Sequence, residues 1–322
     1  MLAKIIPHGT SFSTEPLTYF VRDSFRSEIF PGQLVEIPYG KKNILWVVAE
    51  VSENHFEKND ENFGVAIVGK FANFRGENSE ETFDIKSISA IIDPKPILAS
   101  YQLRTIERLA MKYILPIHKA LAIFLNEPTL RRLQKYNFPL EKLKKIEENI
   151  LKNEIFISKH EIISPQLLVP FLKKNLVIVV PDDILLARFE NFFQKNPEIL
   201  DKKITFYPSE MTETKRAQAF VDIYNKKSEI IIWTRRLLQY NLSCYDEIWY
   251  LEDSFSGEYF HYPVRIAYTD FLAHIADSEQ FSIKIFSSTP RLKTLSQSSL
   301  KYGKTKYWSL SFPTGTIFQK SW

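Results

Sequence analysis

The rhythm of apolar and polar positions changes twice along the chain. Up to about residue 95 the apolar runs are short and separated by turn signals, the pattern of β-strands. Leu17-Thr18-Tyr19-Phe20-Val21 reads as a short strand. Gln33-Leu34-Val35-Glu36-Ile37 follows the turn at Pro31-Gly32 and alternates in polarity. Pro38-Tyr39-Gly40-Lys41-Lys42 is a second turn, and Ile44 to Val51 is apolar enough for a buried strand. Residues 52 to 82 are polar around one further strand-like run, Val65-Ala66-Ile67-Val68. Their acidic clusters, Glu57 to Glu61 and Glu77 to Glu81, suit solvent. Phe83 to Ile92 reads as a closing strand. Short strands with turns between them predict a small β-barrel over residues 1–95.

Asp93-Pro94-Lys95-Pro96 reads as a stiff break, after which the period becomes helical. Ser100 is the expected cap of a helix carrying Leu103, Ile106, Leu109, Ala110, Tyr113 and Ile114 at helical spacing. A second helix is expected from about Ile117 to Leu125. Residues 129 to 153 are basic and helical in pattern, with Arg131, Arg132, Lys135, Lys142, Lys144 and Lys145. Such a run is usually a solvated helix face, and it also suits contact with backbone phosphates. From about residue 160 to 300, strand and helix patterns alternate, with helices over Asp183–Gln194, Thr212–Asn225 and Arg265–Ala276. That alternation predicts a parallel sheet with helices on both faces. Tyr302 to Trp322 shows no clear period. The expected fold is a mixed α/β multidomain chain. It comprises a β-barrel at 1–95, a helical basic connecting region at 96–160, and a three-layer α/β lobe at 161–322.

Bulk properties narrow the function only a little. The 322 residues suggest two or three domains. A hydrophobic fraction of 44% and a charged fraction of 25% are those of a globular protein. A net charge of +4 permits a polyanionic partner without demanding one. The single cysteine, Cys244, excludes a disulfide framework and a cysteine-based zinc site within one chain. The 6 histidines show no recurring ligand spacing, so neither a metal nor another cofactor is expected. No apolar run approaches the roughly 20 residues of a membrane span, and Met1 to His8 lacks the apolar core of a signal peptide. The expected location is the cytoplasm.

The candidate chemistry of the second half lies where strand-like runs end. Val180 leads into Pro181-Asp182-Asp183, Trp233 into Thr234-Arg235-Arg236, Leu251 into Glu252-Asp253-Ser254, and Phe286 into Ser287-Ser288-Thr289-Pro290. In an open α/β sheet, ligands bind beyond these carboxyl ends. A nucleotide-driven motor also needs a glycine-rich loop ending in Gly-Lys-Ser/Thr, whose backbone N–H groups cradle phosphates. The segment Asn153 to Asn175, ahead of these stretches, contains no glycine. Gly303-Lys304-Thr305 comes after all of them and has Ser298 where the loop's first glycine would stand.

Several of these residues carry a resemblance. Leu17-Thr18-Tyr19-Phe20, Pro31-Gly32-Gln33-Leu34-Val35, Ile37 to Lys42, and Phe83 to Ile88 before Ile91 to Pro96 resemble the start of the primosomal protein N′ family. These are the replication-restart helicases called PriA. Arg104 to Tyr113, Leu115-Pro116-Ile117 and Ala120 to Phe124 continue the likeness. In that family this region is the 3′ DNA-binding domain and the helices after it. The second half is similar to the family's first helicase lobe in order and spacing. Val179-Val180-Pro181-Asp182 stands for Val-Pro-Glu, and Ile232 to Arg236 for Ile-Gly-Thr-Arg-Ser. Leu251 to Ser254 stands for Asp-Glu-Glu-His, and Ser287 to Pro290 for Ser-Ala-Thr-Pro. Tyr207 to Met211 with Lys215-Arg216, and Tyr259 with Tyr262 to Asp270, fall between these in the family's order. The departures matter more. The metal-coordinating Asp position is Leu251, which cannot bind a metal, and Ser254 replaces the family's His. The resemblance therefore implies a degenerate P-loop helicase lobe with no catalytic residues.

For the first domain, the resemblance implies a pocket that holds the terminal 3′ nucleotide of a DNA strand, built from Leu17, Thr18, Gly40, Lys41 and Lys86. Gly40 and Lys86 match the family's pocket glycine and lysine. Leu17-Thr18 stands where the family has Phe-Asp: Thr18 keeps a hydroxyl, but Leu17 has no π-face to offer a base. Read alone, Gly40 is a hairpin turn and Lys86 a surface lysine. The implied function is DNA binding at forks, 3′ ends and single-strand/duplex junctions in DNA replication restart and DNA repair. ATPase and helicase activity are not expected, and replication or primosome proteins are candidate partners. Two alternatives stand beside it: a residual ATP-dependent DNA helicase, and a scaffold for replication proteins that does not bind DNA.

Overall fold

Alternation along the N-terminal strands becomes a sheet closed on itself. The structure, a computed structural model, describes residues 1–6, 16–53, 66–68, 82–125, 154–158, 164–197, 203–252, 259–260, 265–276, 281–287 and 304–308. These residues fall in two units, Met1–Glu127 and Pro128–Trp322. In the first unit β1 (Leu2–Ile6), β2 (Leu17–Phe20), β3 (Gln33–Tyr39), β4 (Lys42–Ser52) and β7 (Ala90–Pro96) form an antiparallel sheet in the order β2-β1-β4-β3-β7. A separate pair, β5 (Ala66–Val68) and β6 (Thr82–Asp84), is antiparallel. The chain just before β7 joins the two edges of the larger sheet. Ser89 N–H donates to the Glu36 carbonyl on β3 at 2.9 Å. Phe20 N–H on β2 donates to the Lys86 carbonyl at 2.9 Å, and Ile88 N–H donates to the Phe20 carbonyl at 3.0 Å. This closure makes the expected barrel and leaves β2 without a bare edge.

Inward positions of the strands alternate as a period of two requires. Ala3, Ile5, Tyr19, Val21, Val35, Ile37, Trp46, Val48 and Ile88 form one buried cluster. Leu2, Ile6, Leu34 and Val47 are also buried, and they lie on the opposite face of their strands. Two helices account for that second apolar face. They are α1 (Ser100–Tyr113) and α2 (Ile117–Phe124), which pack on each other, with α2 against β1. A barrel ending at residue 95 would expose this face, so the helices belong to the first unit rather than to a connecting region. The start of α1 also differs from expectation. Its N-cap is Ala99, whose N–H donates to Gln102 Oε1 at 3.0 Å, and Ser100 is the first helical residue.

The expected break at Pro94 and Pro96 lies within β7. Prolines are tolerated there because β7 is an edge strand whose register with β3 shifts between Gln33 and Val35. Gly32 is where the backbone leaves no alternative. Its φ is +87°, and a Cβ would stand 2.1 Å from the Leu98 carbonyl oxygen. Its N–H donates to Val48 O at 2.7 Å and its carbonyl accepts from Ile97 N–H at 2.9 Å. The turn thus ties β4 to the entry of α1.

The second unit holds a seven-stranded sheet in the order β10-β11-β9-β12-β15-β8-β16. Its strands are β8 (Glu154–Ser158), β9 (Leu176–Val180), β10 (Ile204–Tyr207), β11 (Ile230–Thr234), β12 (Glu247–Leu251), β15 (Ser282–Ser287) and β16 (Lys304–Trp308), and every pairing is parallel. A short antiparallel pair, β13 (Tyr259–Phe260) and β14 (Ile266–Ala267), stands apart. β9, β11 and β12 are buried at every position, as strands covered on both faces must be. The helix Asp183–Lys195 covers one face, where Leu185, Leu186, Phe189 and Phe193 pack with Ile178, Ile232, Trp249 and Leu251. The helix Glu213–Tyr224 serves the other face, where Phe220 and Trp233 both pack on Tyr240. A third helix, Tyr268–Ala276, follows β14.

Several strands lie outside the sequence expectation, β14 among them: the helix expected over Arg265–Ala276 starts at Tyr268, after that strand. The apolar pattern predicts no element at β1 or β8, and β16 takes in the Lys304-Thr305 of the tail's Gly-Lys-Thr. β8 also shows that the lobe begins before residue 161. The basic stretch 129–153, the acidic clusters 57–61 and 77–81, and the ends of the strand-exit stretches at 253–254 and 288–290 lie outside the described residues.

Candidate nucleic-acid interface

One end of the barrel collects most of the expected site. The β3–β4 hairpin runs beyond β1: the last β1–β4 pair is Ile6 with Val47, and the hairpin closes at Tyr39 opposite Lys42. Its turn is Gly40, with φ +60° and, among the described residues, nothing within 4 Å of the place a Cβ would occupy. Glycine is therefore favoured there by conformation, not by crowding. The hairpin reaches towards β2, where the Tyr19 hydroxyl donates to the Pro38 carbonyl at 3.2 Å. β2 enters the sheet at this same end, with Leu17 opposite Ile5. The Phe20–Ser87 bridge is parallel, so Lys86 aligns with Tyr19. Leu17, Tyr19, Gly40, Lys41 and Lys86 are thus gathered at the hairpin end of the barrel.

They do not all face the same way. Leu17 packs against the barrel core with Tyr19, so it serves the fold first. Thr18, between them, points to the other face and is exposed. Its cross-strand neighbour is Lys4, whose ammonium donates to Glu50 at 2.8 Å. That carboxylate holds the Lys4 pKa above its usual value. Gly40, Lys41 and Lys86 are exposed. Burial pushes the Tyr19 hydroxyl up to about 12, with a smaller contribution from Tyr39, so it is a hydrogen-bond donor at neutral pH.

Tyr39, which the sequence pattern leaves inside a turn, stands at this same end. Val35 and Ile37 are buried, and Tyr39 continues their face beyond the core at 43% exposure. Its ring lies 5.4 Å from that of the fully buried Trp46. The alternation Val35-Ile37-Tyr39 carries the signal, but Pro38 and Gly40 on either side mask it with turn chemistry.

The carboxyl edge of the second unit has a different character. Connections leave β9 and β12 in opposite directions, which makes their ends a switch point of the sheet. Asp182 caps the helix after β9, accepting from Leu185 N–H at 2.8 Å. The Asp183 carboxylate accepts from the Ser209 N–H at 3.2 Å and from the Ser209 hydroxyl. The Ser209 carbonyl in turn accepts from Arg236 Nη1 at 3.0 Å. Arg235 is 2% exposed. It donates to the Glu252 carbonyl at 3.1 Å, and its guanidinium stands over the rings of Tyr250 and Tyr268 at 5.6 and 5.8 Å. Glu252 is itself buried at φ +50°, and its N–H donates to Phe286 O at 2.7 Å. Leu251 is in the core. The strand-exit stretches hold one another.

A small closed antiparallel sheet with an overhanging hairpin, followed by two helices, defines the first unit. Residues 6–126 match the family model of the PriA 3′DNA-binding domain. Over these residues the chain is similar to that DNA-binding domain. No curated protein matches the chain. Among solved structures, a hypothetical ATP-dependent RNA helicase from Sulfolobus tokodaii is similar at 14% identity and a TM-score of 0.36, over 57% of this chain and 56% of that one. This chain thus spans little more than half of that protein's length. Among the described residues no helix is long and apolar enough to cross a membrane, and no group of three or more His, Cys, Asp or Glu could hold a metal.

Proposed function

We propose that this chain is a PriA-like DNA-binding protein of replication restart that engages forks and single-stranded 3′ ends through the hairpin end of its barrel and does not hydrolyse ATP. The observation that carries the reading is the placement of Gly40, Lys41 and Lys86 at one end of a domain similar to the PriA 3′DNA-binding domain. An exposed ammonium beside an open glycine turn suits a terminal phosphate that must approach backbone closely. The absence of turnover rests on the glycine-free segment Asn153 to Asn175 and on Leu251. Without a phosphate cradle and a metal-binding carboxylate, phosphoryl transfer lacks most of its electrostatic stabilisation. Replication or primosome proteins, and a cytoplasmic location, belong to the same proposal.

Binding titrations on forks with free and 3′-phosphorylated ends test it, using wild-type protein and Lys86→Ala. We expect the free end to bind more tightly. Lys86→Ala should cost about 1–2 kcal/mol on that end, with little additional loss when the end is also blocked. Equal affinity in all four combinations would sink the proposed end recognition. ATP turnover that co-purifies with the protein and rises with DNA would sink the non-catalytic part, and a failure to bind any DNA would favour the scaffold.

A further inference from the structure

We infer that Tyr39 is the stacking platform for the terminal base of the bound strand, an inference that rests on the proposed recognition of DNA ends. A base at a chain end has two flat apolar faces, and binding it requires an opposing flat surface as well as a charge for the phosphate. Leu17 does not supply that surface, since its side chain is aliphatic and packs against the barrel core. The aromatic residue that meets the requirement is on the hairpin.

Three observations place Tyr39 in this role. It occupies a core-facing position of β3 that has run past the end of the core, so its ring is carried at the barrel end and is 43% exposed. It directly precedes Gly40, beside which no described residue comes within 4 Å of where a Cβ would stand. Its ring rests against Trp46, with centroids 5.4 Å apart and planes at 43°. Trp46 is fully buried, so Tyr39 is held on that side while its side chain stays part-exposed. A ring held in this way loses little rotational freedom when a base settles on it. Stacking is tolerant of sequence because every base has a π-face, so the platform suits a protein that must bind ends of any sequence. Tyr39 therefore supplies the aromatic surface that position 17 lacks, from a neighbouring part of the barrel end.

The test uses the full chain and single-stranded oligonucleotides with 2-aminopurine at the 3′ terminus, whose fluorescence is quenched by stacking. Wild type should quench it on binding and Tyr39→Phe should do the same. Tyr39→Leu should bind on the order of 10-fold more weakly and leave the probe bright at saturation. Removing the terminal base, with an abasic 3′ nucleotide, should weaken wild type by a similar factor and leave Tyr39→Leu nearly unchanged. Circular dichroism and thermal melting of each variant guard against a folding defect. If wild type prefers free 3′ ends and Lys86→Ala weakens them, but Tyr39→Leu still quenches the probe and binds as wild type, the platform is wrong and end recognition stands. If wild type shows no preference for free 3′ ends, end recognition fails and the platform fails with it.

Discussion

The two units handle positive charge in opposite ways. At the barrel end, Lys41 and Lys86 stand in solvent beside an open turn. At the carboxyl edge of the parallel sheet, Arg235 is buried on a backbone carbonyl and two tyrosine rings, while Arg236 is tied to Ser209, which is tied to Asp183. A cation already held by protein groups must leave them to meet a phosphate. An exposed one need only shed water. On the proposed function, one unit presents a surface for a ligand and the other holds a shape.

The largest effect expected from a single substitution separates two glycines of the first unit. Gly32→Ala forces a Cβ against the Leu98 carbonyl at positive φ, and should destabilise the unit by roughly 3 kcal/mol. Gly40→Ala meets no neighbour and carries only the left-handed backbone penalty, about 1 kcal/mol. Thermal melts read the stability, and binding titrations of folded protein read the function. Gly32→Ala should act through unfolding, whereas Gly40→Ala should weaken end binding in protein that remains folded. Equal loss of stability in the two variants would mean that Gly40 is structural as well.

Arg235→Leu should cost the second unit roughly 2 kcal/mol, because the Glu252 carbonyl loses its buried partner and the ring contacts go with it. Urea denaturation should record the loss, with DNA affinity of the folded protein unchanged. A fall in affinity without a fall in stability would place Arg235 on the ligand and remove the contrast between the units.

A further effect appears at alkaline pH. Burial raises the Cys244 thiol from 9.0 to about 12 and the Tyr19 hydroxyl from 10.0 to about 12. Below the unfolded values both groups are protonated in either state and stability does not depend on them. Above those values the unfolded chain releases its proton while the folded chain retains it. The unfolded state then binds fewer protons, and stability falls with rising pH. The second unit should therefore begin to weaken from about pH 9, and the first from about pH 10, as those starting values require. Hydrogen exchange followed peptide by peptide can resolve the two onsets. Cys244→Ser should move the earlier onset upward, and an unmoved onset would assign it to another group.

Much of the fold was legible because its signals are local. The alternation through Gln33–Ile37, the apolar runs at Leu176–Val180 and Glu247–Leu251, and the helices from Asp183 and Glu213 follow from periodicity and caps within a few residues. Gly40 and Lys86 were recognisable as candidates through their resemblance to a family. β1, β8 and β16 were not, because such short segments become strands only when partners claim their hydrogen bonds.

The decisive features of the candidate site depend on contacts between distant parts of the chain. Alternation says that Leu17 and Thr18 lie on opposite faces of β2, but it does not say which face is inside. The pairings of β1 with β2 and β4, and the burial of Tyr19, decide that. Lys86 reaches the barrel end because Phe20 bridges to Ser87 across most of the domain. Tyr39 becomes exposed because β3 outruns the core that its alternate residues fill. The sequence alone determined which residues could form strands, helices and tight turns, since those preferences are local. Only the tertiary structure decided which side chains meet, because hydrogen-bond pairing between strands remote in sequence sets which face each one turns to the core.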